Sequence, residues 1–179
     1  WAKANPKDAN YGIPALGAPH HFFGILVGNA IGVPMQNVPF QGSAPINLAL
    51  MGGQISASID VASSQVENHK AGKIRMLAVS TEQRIPQAPD VPTFTELGLP
   101  AISGAGFNAL YAPAGTPASA VEAWNKALAK VMAMPDVKEK LTAMGYIPVG
   151  KSTQELIDRQ NASIRKWEPV IKASGFTAD

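Results

Sequence analysis

No cysteine occurs in the 179 residues. Disulfides, thiol nucleophiles and thiolate metal sites are therefore excluded, and the absence fits an oxidising compartment. Histidine is scarce, with only His20, His21 and His69. The first two are adjacent, so on a helix they point about 100° apart and do not readily share a metal. The third stands beside Lys70 in another segment, and no H-E-x-x-H spacing exists. G-x-S-x-G is also missing. Ser43 follows Gly42, but no histidine is patterned with it as a base. "GNAIG" (28–32) falls within or after a helix, not between strand and helix, so it is no dinucleotide fingerprint. The net charge is +2, with cations scattered among acids, and nothing predicts a nucleic-acid surface. No apolar run approaches the roughly 18 residues that span a bilayer. The longest, from Phe22 to Met35, is broken by Gly24, Gly28, Gly32 and Pro34. No catalytic residue, metal, cofactor or enzymatic activity is expected.

What is present is a folding composition. Hydrophobic residues make up 46% and charged residues 16%, as in a globular protein of one large domain or two small ones. The pattern alternates. "YGIP" (11–14), "NVPF" (37–40), "QISASID" (54–60), "KIRMLAVS" (73–80), "GFNALYAP" (106–113) and "YIPV" (146–149) read as strands. Helices are expected from Ala18 to Ala30, from Ser43 to the Gly52-Gly53 stop, and from Ser63 to Ala71. Another begins at Thr116-Pro117, with Val121, Trp124, Leu128, Val131 and Met132 on its buried face. Two more follow Pro135 and the Ser152–Glu155 capping box, the last bending near Pro169. Between them, the prolines at 86, 89, 92 and 100 limit structure to one capped turn from Thr93 to Gly98. The opening "WAKANPKD" reads as a helix tail stopped by Pro6, and hence as a processing boundary. Strands alternating with helices predict an α/β fold with a largely parallel sheet.

Ligands of such sheets bind beyond the carboxyl ends of the strands, where turns meet helix N-termini. Two turns stand out. Ala15, Leu16, Gly17 and Ala18 precede a helix whose first turn holds His20, and Gly42-Ser43 opens the next. Small residues there allow close backbone approach, and free N–H groups suit an anion. The same features also describe two ordinary strand–helix turns. Asp60 ends an apolar strand and reads either as a cap for 63–71 or as a pocket acid that orders a water or meets a ligand hydroxyl or amine. Those two roles are compatible.

Several stretches together resemble one family. "VPFQGSAPINLALMGGQISASID", "HKAGKIRMLAVSTEQRIPQAPDVPTFTELGLP", "YAPAGTPASAVEAWNKAL" and "NPKDANYGIPALGAPHHFFG" are similar, in order, to segments of the tripartite tricarboxylate transporter receptors, the Bug family of periplasmic solute-binding proteins. The resemblance covers nearly the whole chain. It implies a type II periplasmic-binding-protein-like α/β fold of two hinged domains. Residues 1–104 would be the second, inserted domain, and 105–179 the C-terminal return into the first, whose N-terminal part has no counterpart here. It implies capture of a small organic carboxylate in the periplasm, by hinge closure, for membrane transporter components or a sensor.

The ligand would meet Ala15, Leu16, Gly17, Ala18, His20, Gly42, Ser43 and Asp60, with Phe107 or Asn108 near the interdomain crossing. The apolar surface left by the absent part would favour a homodimer or strand exchange. The alternatives are an enzyme on the same architecture, or a sensory or structural partner that has lost its pocket. Where the family often has serine, this chain has Ile13 and Ala18. It also places Pro14 in the first turn and Phe40-Gln41-Gly42 where the family has Tyr-Lys-Gly. These departures point to a smaller or less polar ligand.

Overall fold

A computed structural model describes residues 1–177. The chain forms two compact units, Trp1–Gly106 with the segment from Glu168 onward, and Phe107–Trp167.

The first unit alternates β1 (Asn10–Ile13), α1 (Pro19–Ile31), β2 (Gln36–Pro39), α2 (Ser43–Met51), β3 (Ala57–Ser58) and α3 (Val66–Lys70). The strands form a parallel sheet in the order β2-β1-β3. Tyr11 lies opposite Asn37 on one side and Ala57 on the other. Parallel neighbours need a crossover, and α1 and α2 supply it. The α/β expectation holds.

Side-chain alternation along β1 places the two helices. Tyr11 points to one face and its neighbour Gly12 to the other. On the first face, Gly24 of α1 sits so close to the Tyr11 ring that a β-carbon there would overlap it. The Tyr11 hydroxyl donates to the His21 carbonyl at 3.2 Å, and burial pushes the phenol pKa up. On the other face, a β-carbon at Gly12 would stand 2.7 Å from Ile55 Cδ1 and 3.3 Å from Ile46 Cγ2. Ile46, Ala49 and Ile55 form the core there, flanked by Val38, Phe40 and Leu50. Tyr11 and Ile13 are essentially inaccessible.

A second cluster, Val79, Ala88 and Val91 with Met76 and Ile85, organises the proline-rich segment. The expected capping box is present: Thr93 N–H donates to Glu96 Oε2 at 2.7 Å, and Glu96 N–H to Thr93 Oγ1 at 3.1 Å. Arg84 Nε reaches the same Glu96 carboxylate at 3.0 Å.

Several expected elements differ. Residues 54–60 shrink to the two-residue β3, and 63–71 forms a short 3₁₀ turn followed by α3. Residues 73–80 are not a buried strand. They make a single bridge, Val79 with Thr93, and Leu77 is 69% exposed. The segments 106–113 and 146–149 carry no strand. A strand exists by its ladder, and among the described residues these apolar segments have no neighbouring strand. The opening octet forms turns, with Asn5 N–H on the Trp1 carbonyl at 2.9 Å.

The second unit holds α4 (Ala118–Ala133), α5 (Pro135–Ala143) and the part of α6 (Thr153–Ser174) up to Trp167. Ser152 and Glu155 form the expected box, Glu155 Oε2 accepting from Ser152 N–H and Oγ at 3.0 Å each. Lys151 and these bonds hold the Glu155 carboxyl down at about 2. α6 continues through Pro169. Thr116 does not cap α4. Its hydroxyl donates to the Pro113 carbonyl at 2.8 Å, closing the preceding turn, and Pro117 takes the cap position. Nor is the apolar stripe of α4 buried, since Trp124 is 67% and Val131 42% exposed. Periodicity marked a face without saying what covers it. Among the described residues no helix is long and apolar enough to cross a membrane.

Candidate functional site

The carboxyl ends of β1, β2 and β3 lie side by side, and the turns that follow them are stitched together. Phe40 N–H donates to the Ile13 carbonyl at 2.8 Å and Ile59 N–H to the Gly12 carbonyl at 2.9 Å, while Gly42 N–H meets the Pro14 carbonyl at a long 3.5 Å. Ser43 Oγ donates to Asp60 Oδ1 at 2.9 Å. The turn 14–18 thus adjoins the turn 40–42, and the start of α2 adjoins the turn after β3.

Two helix N-termini open onto this edge without side-chain caps. Ala18 caps α1 and Gly42 caps α2; neither makes a side-chain cap bond, and neither first turn carries an acid. Among the described residues the N–H groups of Ala15, Leu16, Gly17 and Ala18 have no acceptor. Such donors at the positive end of a helix dipole favour an anion. Gly17 and Gly42 have φ of 72° and 89°, in the left-handed region that glycine adopts at little cost. Gly42 N–H, expected to face a ligand, is turned toward Pro14.

Asp60 is enclosed by donors. Oδ1 accepts from Ser43 Oγ and from Val61 N–H at 2.8 Å. Oδ2 accepts from Ser64 Oγ at 3.1 Å and Gln65 Nε2 at 3.0 Å. His20 lies within the electrostatic reach of Asp60; burial lowers its pKa and the carboxylate partly offsets that. The His20 Nδ1 atom is buried without a partner, as are Gln65 Oε1 and Asn47 Oδ1.

His21 faces the sheet side of α1. Its Nε2 pairs with Asn37 Nδ2 at 3.3 Å. An amide NH₂ only donates, so in this pairing the His21 ring offers Nε2 as the acceptor. It stacks on Phe22 at 5.1 Å and meets Phe176 edge-on at 5.6 Å. Burial lowers its pKa.

Ala15, Leu16, Gly17, Ala18, His20, Gly42, Ser43 and Asp60 therefore share one edge of one unit. Phe107 belongs to the second unit, where its ring lies 5.4 Å from the Arg159 guanidinium carbon. Sequence reasoning missed Ser64, Gln65, Asn37 and Phe176. Ser64 and Gln65 directly follow the Asp60-Val61 turn, and this proximity was the available signal. Nothing in the sequence marks Phe176 as a neighbour of Gly17. Among the described residues no group of three His, Cys, Asp or Glu side chains is placed to hold a metal.

The sequence pattern of the tripartite tricarboxylate transporter family receptor matches residues 1–176. A protein from the tcbD-tcbE intergenic region of Pseudomonas sp. (strain P51) is 33% identical over 171 residues, covering 95% of this chain and 51% of that protein. The structure of R. palustris Rpa4515 with adipate superposes with a TM-score of 0.83 at 33% identity, covering 97% of this chain and 58% of the other. MatC (Rpa3494) from Rhodopseudomonas palustris with bound malate gives 0.77 at 26% identity, covering 95% and 59%. The chain spans about half the length of the curated relatives it matches. Its fold is that of these solute-binding proteins.

Proposed function

The chain belongs to the tripartite tricarboxylate transporter family receptors, and from that premise we propose that it captures a small organic carboxylate at the stitched edge of its sheet. The observation that carries this reading is the pair of uncapped helix N-termini on one edge, with four unpartnered N–H groups from Ala15 to Ala18. A carboxylate satisfies such donors, and the small residues leave room for it. His20, Gly42, Ser43 and Asp60 border the same place. The adipate and malate in the two related structures support a carboxylate rather than a phosphate.

In the full receptor, hinge closure on the ligand would present it to membrane transporter components or a sensor in the periplasm, without chemical turnover. Residues 1–104 would be the second domain and 105–179 the return into the first, with half of the cleft supplied by a part this chain does not contain. A role for Phe107 rests on the family resemblance alone. The exposed apolar side chains of the second unit, Trp124 among them, suit a homodimer or strand exchange, which a light-scattering mass of one chain would exclude.

The test is a ¹⁵N NMR titration of the chain with millimolar adipate. Shifts confined to the amides of residues 15–18, 20 and 42–44, and lost in Gly17→Val, are expected. Unmoved amides at both turns would overturn the assignment. Recovery of the unaltered acid after prolonged incubation separates a receptor from an enzyme.

A further inference from the structure

We propose that Phe176 is a positioning residue of the carboxylate site. Its ring holds the turn 15–18 with its N–H donors presented, so the cap that ends α6 belongs to the binding machinery. The inference rests on the carboxylate reading above and adds a residue to it.

The turn is weakly held by its own hydrogen bonds. Among the described residues Ala15, Leu16, Gly17 and Ala18 give their N–H groups to no acceptor. The bond that joins this turn to the next, from Gly42 N–H to the Pro14 carbonyl, is a long 3.5 Å. Gly17 has a left-handed φ of 72°, and glycine loses more conformational freedom than any other residue when it is fixed. Four donors that face one ligand therefore call for a restraint from outside the turn.

Phe176 supplies it. The ring meets Gly17 with its tip: a β-carbon on Gly17 would lie 2.6 Å from Cζ, 2.8 Å from Cε1 and 3.6 Å from Cε2. It fills the space that a side chain at position 17 would take. Behind it stand His21 and Phe22, edge-on at 5.6 and 5.9 Å and both buried. A ring braced on these core residues of α1 passes their rigidity to the turn. The end of α6 is shaped to deliver it. Gly175, at a φ of 68°, donates to the Lys172 carbonyl at 3.3 Å and stops the helix in the left-handed conformation. Phe176 N–H then donates to Ser174 Oγ at 3.2 Å, and that hydroxyl donates to the Ile171 carbonyl at 2.7 Å. An apolar residue after such a stop commonly packs back on its own helix. Here that residue lies on the binding turn.

Without the ring, the ligand itself has to order the turn. Ordering one backbone residue costs about a factor of ten in affinity. The linkage is reciprocal: what the seated ring adds to ligand affinity, the ligand adds to the seating of the ring.

The experiment titrates adipate into the unaltered chain, Phe176→Ala and Phe176→Leu, following the amides of 15–18, with thermal unfolding of each protein. Leucine keeps apolar contact with His21 and Phe22 but ends short of Gly17. Both variants are expected to bind adipate about tenfold more weakly, and Phe176→Leu to do so with most of its stability retained. In the unaltered chain, saturating adipate should slow amide exchange at Gly175 and Phe176 about tenfold. That measurement decides the matter should neither variant fold. A ring that only fills space affects stability and not affinity. Full affinity in either folded variant therefore overturns the inference, and so does unchanged exchange at Gly175 and Phe176. Either result leaves the carboxylate site standing. If adipate moves no amide at 15–18 of the unaltered chain, the site itself is wrong and the inference falls with it.

Discussion

Phe176 lies over Gly17. A β-carbon added to Gly17 would stand 2.6 Å from Cζ of that ring. The residue that shapes the first turn of the site is thus pinned by an aromatic side chain 159 positions later in the chain. Phe176 also meets His21 and Phe22 edge-on, so one ring backs both the turn and the first turn of α1.

Gly17→Ala is expected to destabilise the first unit by about 2–3 kcal/mol, from the left-handed φ and the overlap together. Thermal unfolding measures it. In a double-mutant cycle, adding Phe176→Ala relieves the overlap but not the φ cost, so the two losses should sum to more than the double variant shows. Strict additivity would mean that the ring does not contact Gly17 in solution.

Gly24→Ala should cost about 2 kcal/mol or more despite alanine's better helix propensity of about 1 kcal/mol, because its β-carbon meets the Tyr11 ring. Tyr11→Phe removes only the bond to the His21 carbonyl, at a cost of about 1 kcal/mol. A stabilised Gly24→Ala in urea unfolding would contradict the close packing of α1 on β1.

The first unit should lose stability in mild acid. Burial lowers the pKa of both His20 and His21 in the folded state. As pH falls the unfolded chain therefore takes up these protons first. Stability is full above the ordinary histidine value of about 6.5 and declines below it. The urea midpoint should drop between pH 7.5 and pH 5.5, and less steeply in His21→Asn. A midpoint flat across that window would show that neither ring is held neutral.

Glu96→Ala should release the capped turn of the proline-rich segment. Glu96 accepts from Thr93 N–H and from Arg84, and loss of such a box costs about 1 kcal/mol. Amide exchange at Leu97, Gly98 and Leu99, which bond back to Thr93, Thr95 and Phe94, should speed up about fivefold. Glu96→Gln keeps an acceptor and should fall between the two. Unchanged exchange in Glu96→Ala would mean that the Val79–Ala88–Val91 cluster alone holds the segment.

Helix starts and stops were legible because their signals are local. Gly52, Pro135 and the Ser152–Glu155 box act through residues within one turn of themselves. Strands were less legible. "KIRMLAVS" and "GFNALYAP" have strand composition, but a strand needs a distant partner, and among the described residues neither segment has a ladder. The stripe on α4 failed for the same reason, because periodicity names a face and not its cover.

For the site, the turns at 14–18 and 42–43 and the acid at 60 could be picked out as strand–turn–helix junctions on one sheet edge. Their order along the chain follows from βα alternation, which any parallel sheet imposes. Which hydrogen bonds join them does not follow. That Ser43 gives its proton to Asp60, that Gln65 and Ser64 complete the carboxylate's shell, and that Phe176 seats on Gly17 depend on approaches of a few tenths of an ångström between residues far apart in sequence. Only packing sets these distances. The sequence by itself determined the βα alternation of a parallel α/β sheet and the turns at its edge; the tertiary structure decided which way the polar groups of those turns face, because that depends on packing between distant residues.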